Sequence, residues 1–223
     1  IPEVPVDTTP TAPFTIYDDS TGGDCQYIGT WDYPSKTCTL TGDITSTSSG
    51  IIIANNGITL DGANYRLTGA GNSAAQDDYG VNVMNKDNFT IENLGIYSFG
   101  IGIRLSNTPT LGTITGNNIT NNTVDGIYGE SEGALKILDN YISANDRNGI
   151  TIMGSWYSGN TECSWPGKTT IHGNTIMGHL YGNGIEISGG AICFEENTIM
   201  AGKNGFAIYN TMGSLYSQKT VFT

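Results

Sequence analysis

The sequence predicts an all-β fold in which about seven coils of short strands stack in parallel. The composition is the first observation, because 26 Ile and 29 Thr against 10 Leu and 11 Ala favour strands over helices. The second is a six-residue phrase, beginning with glycine, that returns seven times. The third is a phrase with asparagine at a fixed position that follows most copies of the first. Such self-similarity is typical of a solenoid, in which each coil buries its apolar face only against its neighbours.

The first phrase reads glycine, apolar, any residue, apolar, any residue, and then usually Asn or Gly. Its copies begin at Gly50, Gly80, Gly102, Gly126, Gly149, Gly184 and Gly205. The spacings are 30, 22, 24, 23, 35 and 21 residues. A basal period of 21 to 24 residues therefore carries two insertions, near residues 66–79 and 154–167, which we expect to form loops on a regular scaffold.

The second phrase lies ten to twelve residues after most of these glycines. Aligning its copies on Leu60, Ile91, Ile114, Ile137, Ile171 and Phe194 places four asparagines at one position, namely Asn117, Asn140, Asn174 and Asn197. The same alignment predicts an inward column of Tyr65, Ile96, Ile119, Ile142, Ile176 and Ile199. Asparagine tolerates the left-handed backbone of a sharp corner, and stacked amides can hydrogen-bond between coils. We therefore predict an asparagine ladder, which is partial because the first two coils carry Ala63 and Leu94 there.

Over residues 50–210 these phrases resemble the repeats of the right-handed parallel β-helix superfamily, which includes pectate-lyase-like enzymes and NosD-like surface and periplasmic proteins. The resemblance implies a right-handed, single-stranded parallel β-helix over residues 50–223, with a core of Ile, Val and Leu columns. It implies no single activity, because the same coil carries lyases, hydrolases, epimerases, phage adhesins and structural proteins.

Residues 15–49 break the period and predict a cap at the N-terminal end of the coils. A disulfide between Cys25 and Cys38 would close a short loop there and stabilise the cap. Asp18, Asp19 and Asp24 are the candidates for binding Ca²⁺ in this segment, although their spacing matches no calcium motif. The alternative is a solvated acidic turn, and no other metal or cofactor is predicted.

The remaining two cysteines point to the second insertion. Cys163 lies inside it, and Cys193 is expected to point outward from the next coil, so a disulfide between them would hold the insertion down. Trp156, Tyr157 and Trp165 would form an aromatic patch on the same loop, which predicts sugar stacking or a protein contact. Packing of these aromatic side chains onto the coil wall is the alternative.

Charge and composition exclude several kinds of partner. The 21 acidic and nine basic side chains give a net charge of -12, which leaves no basic stripe for nucleic acid. No apolar run reaches the roughly 18 to 20 residues of a membrane span, so we expect no membrane insertion. Four cysteines in a Thr-rich, Lys-poor chain indicate an extracellular or cell-surface location. Sequons that permit glycosylation begin at Asn88, Asn118 and Asn121.

The best cluster of charged side chains lies on the outward columns of the first-phrase strands. Arg104, Tyr128 and Glu130 would lie on neighbouring coils and could supply a cation and a base to a lyase or epimerase. Glu130 and Glu186 would be two coils, roughly 10 Å, apart, at or beyond the long limit for a hydrolase. We assign no catalytic residue, because isolated polar pairs are common on such walls. His172 and His179, without a free thiol, make a poor metal site.

The sequence therefore favours a non-catalytic extracellular or cell-surface protein that is structural, self-assembling and a candidate for binding glycans. The Pro-rich arm of residues 1–14 and an open last coil predict head-to-tail association into a filament or surface layer, unless the chain is a piece of a longer protein. The first alternative is a polysaccharide lyase, hydrolase or epimerase that uses the wall around Arg104, Tyr128 and Glu130. The second is an adhesive, receptor-binding module that uses the aromatic insertion.

Overall fold

The computed structural model of the chain is a parallel β-helix of eight coils. It describes residues 10–71, 78–107, 111–130, 134–154, 169–189, 192–200, 204–209, 215–218 and 221–222. Each coil contributes one strand to each of three sheets, except that the first coil contributes two to one of them, and strands of successive coils pair in parallel. The repeated phrases of the sequence thus mark the coils, and the fold class predicted from them is confirmed. No helix in the described part of the chain is long and apolar enough to cross a membrane.

The first coil is built from the segment that the period alone predicts to be a cap. It contains β1 (Phe14–Ile16), α1 (Cys25–Ile28), β2 (Gly29–Asp32), β3 (Thr37–Leu40) and β4 (Ile44–Thr45). The β2 and β3 strands form an antiparallel hairpin, whereas β1, β3 and β4 pair in parallel with the next coil. The predicted Cys25–Cys38 disulfide is present and ties α1 to β3. The predicted cap is therefore the first coil of the β-helix, and it includes one turn of α-helix, α1.

The seven coils predicted from the glycine phrase follow in order. The second to fourth coils contain β5 (Ile51–Ile53), β6 (Thr59–Asp61), β7 (Arg66–Thr68), β8 (Tyr79–Met84), β9 (Thr90–Glu92), β10 (Gly95–Tyr97), β11 (Ile101–Ser106), β12 (Gly112–Thr115) and β13 (Asn118–Thr120). The fifth and sixth contain β14 (Ile127–Glu130), β15 (Leu135–Leu138), β16 (Tyr141–Ser143), β17 (Ile150–Met153), β18 (Thr169–His172) and β19 (Thr175–Met177). The last two contain β20 (Asn183–Ser188), β21 (Ile192–Glu195), β22 (Thr198–Met200), β23 (Asn204–Tyr209), β24 (Leu215–Gln218) and β25 (Val221–Phe222).

The three sheets have simple strand orders. Sheet 1 runs β1-β5-β8-β11-β14-β17-β20-β23, sheet 2 runs β2-β3-β6-β9-β12-β15-β18-β21-β24, and sheet 3 runs β4-β7-β10-β13-β16-β19-β22-β25. Alternate side chains of each strand point inward, so apolar residues of successive coils meet in columns. The sheet 2 column of Leu60, Ile91, Ile114, Ile137, Ile171 and Phe194 has the predicted register, and all six side chains are buried.

The four predicted asparagines form a hydrogen-bonded ladder at the corner between sheets 2 and 3. The Asn117 N–H and Nδ2 both donate to Asn140 Oδ1 at 3.0 Å, and Asn140 donates in the same way to Asn174 Oδ1. Asn174 repeats the pattern with Asn197 Oδ1 at 3.0 Å. Each of these Nδ2 groups also donates to a carbonyl of sheet 2. Because the side chains are buried, the ladder satisfies backbone groups that water cannot reach.

A second ladder, between sheets 3 and 1, was not predicted. The N–H of Phe99 donates to Asn122 Oδ1, and the N–H of Asn122 donates to Asn145 Oδ1, both at 3.0 Å. His179 takes the next place. Its ring is fully buried, with Nδ1 3.3 Å from the carbonyl oxygen of Asn145, and its Nε2 has no hydrogen-bond partner among the described residues. Burial lowers the pKa of this imidazole to about 4, so it is neutral at pH 7.

Two details of the sequence alignment are wrong. Leu67, and not Tyr65, pairs with Ile96 and occupies the inward column, while Tyr65 is 37% exposed. The turn before β7 contains two more residues than the turn before β10, which shifts the register by two, and Ala63 and Asn64 both adopt positive φ within it. Residues 66–68 therefore belong to β7, and Tyr79 begins β8, so the first insertion is shorter than the predicted 66–79.

Several predictions concern residues outside the described ranges. Residues 1–9 of the arm and 155–168 of the second insertion are among them, and so are Trp156, Tyr157, Cys163 and Trp165. Phe14, the last residue of the arm, begins β1 and pairs with Ile51 of the same chain. Cys193 is buried and disulfide-bonded. Self-association through the arm and the last coil stays a prediction.

Candidate functional site

The outer face of sheet 1 carries the charged cluster expected from the sequence. Asn82, Arg104, Tyr128, Thr151 and Glu186 pair in register on five successive strands, β8, β11, β14, β17 and β20. A second column beside it contains Met84, Ser106, Glu130, Met153 and Ser188. The side chains of both columns point outward, while the alternate side chains of the same strands fill the core. We call this face, from β8 to β20, the polar wall.

Arg104, Tyr128 and Glu130 form one connected group on the polar wall. The Tyr128 hydroxyl donates to Glu130 Oε1 at 2.7 Å, and an Arg104 guanidinium nitrogen lies 3.9 Å from Glu130 Oε2. The same guanidinium lies over the ring of Tyr79, 4.9 Å from its centroid. These contacts fix the orientation of two tyrosine rings and one cation on three neighbouring coils.

The acid–base state of Tyr128 limits what the group can do. Burial raises the pKa of Tyr128 to about 12, and the hydrogen bond to Glu130 and the charge of that carboxylate add to the shift. Tyr128 therefore stays protonated at neutral pH and acts as a hydrogen-bond donor. A general base needs a pKa near the working pH, so Tyr128 does not fit that role.

A row of polar side chains that was not predicted runs along the edge of the polar wall. Asp125, Asn148 and Asn183 occupy equivalent positions on three successive coils. Each lies two residues before the first residue that pairs in register across β14, β17 and β20. The Asn148 N–H donates to Asp125 Oδ1 at 3.0 Å, and the Asn183 N–H donates to Asn148 Oδ1 at 2.7 Å. Each of the three residues precedes a glycine of the first phrase, which is a signal that the sequence offers.

Asp125 is fully buried and is held by a bidentate ion pair with Arg147. The Nε and a terminal nitrogen of Arg147 donate to its two carboxylate oxygens at 3.0 and 2.9 Å. Burial raises the pKa of Asp125, while Arg147 and the hydrogen bond from Asn148 oppose that shift. Half of the Arg147 side chain is exposed, so the pair joins the interior of the coil to its surface.

Glu186 lies two coils from Tyr128 and belongs to this edge row rather than to the Arg104 group. Its Oε2 accepts hydrogen bonds from Asn148 Nδ2 at 2.9 Å and Asn183 Nδ2 at 3.1 Å. Thr151, which separates it from Tyr128 in the column, is fully buried and accepts a hydrogen bond from Asn148. The structure therefore brings Arg104, Tyr128 and Glu130 together and leaves Glu186 apart.

The calcium candidates in the first coil have separate partners. Asp18 pairs with Lys36, the Asp24 carboxylate accepts the N–H of Thr15, and Asp19 accepts two backbone N–H groups and the Thr21 hydroxyl. These bonds to Thr21 and Gly23 lower the pKa of Asp19. Each of the three carboxylates thus binds a group of the first coil itself. The sequon residues Asn88, Asn118 and Asn121 are exposed, and their glycosylation stays a prediction.

His172 lies on the outer face of sheet 2, in register with Glu195. Its Nδ1 is 3.6 Å from a Glu195 oxygen, and its Nε2 is 3.8 Å from an oxygen of Glu196. The two ring nitrogens therefore face different carboxylates. Within the described ranges, no three His, Cys, Asp or Glu side chains come together as a metal site.

Three comparisons place the chain among known proteins. A family model described as periplasmic copper-binding protein (NosD) matches residues 25–165. No curated protein gives a significant match. Among solved structures, the pectate lyase Pel9A is similar at 13% identity and a TM-score of 0.35, over 83% of this chain and 68% of that one.

The described residues do not fit a copper centre. Proteins bind copper through imidazole, thiolate and thioether ligands. Cys25, Cys38 and Cys193 are disulfide-bonded, His179 is enclosed in the second ladder, and His172 faces glutamates on both sides. No three His, Cys, Asp or Glu side chains converge in the described part of the chain, and the in-register thioethers of Met177 and Met200 lie on sheet 3, whereas His172 lies on sheet 2 and His179 is buried.

Proposed function

The chain belongs to the NosD family of periplasmic proteins, and from that premise we propose that it is a non-catalytic β-helix protein outside the cytoplasm whose polar wall binds a neutral linear polysaccharide. The observation that carries the proposal is the connected group of Arg104, Tyr79, Tyr128 and Glu130. It combines aromatic rings with fixed hydrogen-bonding groups on a flat surface of parallel strands.

The shape of the wall suits a linear polymer. Neighbouring strands of a sheet lie about 4.8 Å apart, so equivalent outward side chains repeat at that interval along the helix axis. A sugar chain laid along this axis can meet the same type of contact on several coils. Tyr79 and Tyr128 offer apolar rings with polar edges, which is the combination that binds the apolar face and the hydroxyls of a sugar.

The charges on the wall favour a neutral polymer over an acidic one. Arg104 is directed at Glu130 and at the Tyr79 ring, and Arg147 is committed to Asp125. Glu130 and Glu186 remain as carboxylates on the same face, in a chain with a net charge of -12. Repulsion between like charges therefore disfavours a polyuronate along the wall.

The geometry of the wall argues against turnover. A hydrolase needs two carboxyl groups roughly 5 to 9.5 Å apart, one as an acid and one as a base or nucleophile. The strands that carry Glu130 and Glu186 are two steps, roughly 10 Å, apart. Glu186 Oε2 already accepts two amide donors, and Tyr128 holds its proton. Recognition without bond cleavage is the function these side chains support.

Affinity measurements with a matched pair of tyrosine variants test the proposal. Tyr128→Ala, on the polar wall, should weaken binding to soluble xylan, glucomannan or mixed-linkage glucan by about tenfold. Tyr141→Ala, which removes a 43% exposed ring from sheet 3, should leave binding unchanged. Equal affinities of the two variants would contradict the location of the site. Release of sugar products from any of these polymers would favour the enzyme alternative.

A further inference from the structure

A cleft lies on sheet 2, away from the polar wall. It has a volume of about 240 Å³ and crosses β9, β12 and β15, with Asn88, Phe89, Thr90, Leu111, Thr113 and Lys136 among its lining residues. None of these side chains takes part in the contacts of the polar wall. The cleft therefore offers a separate binding site with its own chemistry.

Lys136 interrupts a column of threonines on the outer face of sheet 2. The column runs in register through Thr37, Thr59, Thr90, Thr113, Lys136 and Thr170. Lys136 is exposed, and no described residue forms an ion pair with it. Lys36, Arg104 and Arg147, by contrast, each face a carboxylate. The positive charge of Lys136 is thus available to a ligand.

The rim of the cleft contains two corners with left-handed backbone. Leu111 adopts a φ of 57° although it is a bulky residue without special tolerance for that region, and its side chain is 49% exposed. Asn88 on the opposite side has a φ of 56° and is also exposed. Thirteen non-glycine residues of the described chain have positive φ, so this backbone is the usual geometry of a corner between strands. Here it places an apolar side chain and an amide at the mouth of the same cleft.

The interior of the cleft is lined by hydroxyl groups above a closed floor. Thr90 and Thr113 pair in register on neighbouring strands, and both side chains are half-buried. Phe89 is buried against the backbone of Gly112, where a Cβ would lie 2.3 Å from the ring. The floor is therefore tightly packed, and the hydroxyls are left to the solvent side.

We propose that this cleft binds a single acidic sugar unit, a uronate. The Lys136 ammonium pairs with the carboxylate, the Thr90 and Thr113 hydroxyls and the Asn88 amide bind ring hydroxyls, and Leu111 contacts the apolar face of the ring. One cation matches one carboxylate, whereas the net charge of -12 disfavours ligands with several negative charges. The proposal is independent of polysaccharide binding at the polar wall, because no residue is shared between the two sites.

Titration of ¹⁵N-labelled protein with D-glucuronate and with D-glucose tests this site. The two sugars differ only at the C6 carboxylate. Glucuronate should shift the amide signals of β9, β12 and β15 and should bind at least tenfold more tightly than glucose, as expected for charge-assisted hydrogen bonds. The protein should come from a host that does not glycosylate Asn88. Equal binding of the two sugars, or shifts elsewhere only, would overturn the assignment.

A set of lysine variants identifies the cation. Lys136→Gln should lower the glucuronate affinity about tenfold, and Lys136→Arg should retain most of it. Lys86→Gln, which removes the same charge outside the cleft, should bind like the wild type. Because Lys136 is exposed, its variants should keep the wild-type melting temperature and their affinity for the neutral polymer of the polar wall. Wild-type glucuronate affinity in Lys136→Gln would contradict the proposal.

Discussion

Replacing His179 by asparagine should extend the second ladder by one place and remove a buried imidazole. His179 follows Asn122 and Asn145 in register, and its Nδ1 lies 3.3 Å from the Asn145 carbonyl oxygen. Its Nε2 is buried against Gly149, where an added Cβ would lie 2.7 Å away, and has no hydrogen-bond partner within the described chain. An asparagine there can accept from the N–H of Asn145, as Asn145 does from Asn122.

The magnitude follows from the two pKa values of the imidazole. Burial holds the pKa of His179 at about 4 in the folded protein, against 6.5 in the unfolded chain. Between these pH values the unfolded chain binds more protons, so the free energy of unfolding falls as the pH falls from 6.5 towards 4. At about 1.4 kcal/mol for each pH unit, the complete loss is about 3 kcal/mol. The asparagine variant lacks this contribution.

Urea unfolding at pH 7.5 and pH 4.5 measures the effect. Between the two pH values, the free energy of unfolding of the wild type should fall by about 2 to 3 kcal/mol more than that of His179→Asn. His172→Asn, at a half-exposed histidine on sheet 2, should keep the steep wild-type loss and serves as the control. An identical loss in the wild type and in His179→Asn would refute the reasoning about the buried ring.

Three further predictions concern stability. Asn140→Ala removes the centre of the first ladder and deprives the buried N–H and Nδ2 groups of Asn117 of their acceptor, so the free energy of unfolding in urea should fall by about 3 kcal/mol. Arg147→Met leaves the buried Asp125 carboxylate without its cation and should cost about 2 kcal/mol, less than a fully buried pair because Arg147 is half exposed. Joint replacement of Cys25 and Cys38 by serine opens a loop closed over 13 residues and should cost about 3 kcal/mol, measured as a lower melting temperature.

Each of these predictions has a matched control. Asn118→Ala changes an exposed asparagine, so a comparable loss in both asparagine variants would contradict the role of the ladder. Adding Asp125→Asn to Arg147→Met should recover most of the lost stability, and no recovery would mean that the unpaired charge is not the cause. An unchanged melting temperature in the double serine variant would show that the first coil does not depend on its disulfide.

The repeat in the sequence predicted the coils and most of the register because each coil must present the same inward pattern to its neighbours. The Ile columns and the first asparagine ladder follow from that requirement. The first coil was not predicted to be a coil, because β1 to β4 lack the glycine phrase and are joined by α1 and a hairpin. Tyr65 was aligned with the Ile column because an equal spacing was assumed in every coil, whereas the turn before β7 is two residues longer.

The candidate site was predictable only in part. Alternation within strands placed Arg104, Tyr128 and Glu130 on one face, and the structure adds that they are joined through Glu130. Asp125 and Arg147 were missed because they lie at corners, where two-residue periodicity does not apply. The asparagine or aspartate before Gly126, Gly149 and Gly184 was the available signal. The corner at Leu111, on the rim of the Lys136 cleft, was not predictable, because leucine does not favour a left-handed backbone.

Chain-length analysis of a polymer bound to the protein tests the central claim most directly. A neutral polysaccharide retained by the wild type, and retained less by Tyr128→Ala, is incubated with the protein and then sized by gel filtration, with new reducing ends and unsaturated products assayed in parallel. If the polar wall binds without cleaving, the polymer keeps its original length and forms no such products. Shortened chains that are absent with Glu130→Gln would contradict this claim and would make the polar wall an active site.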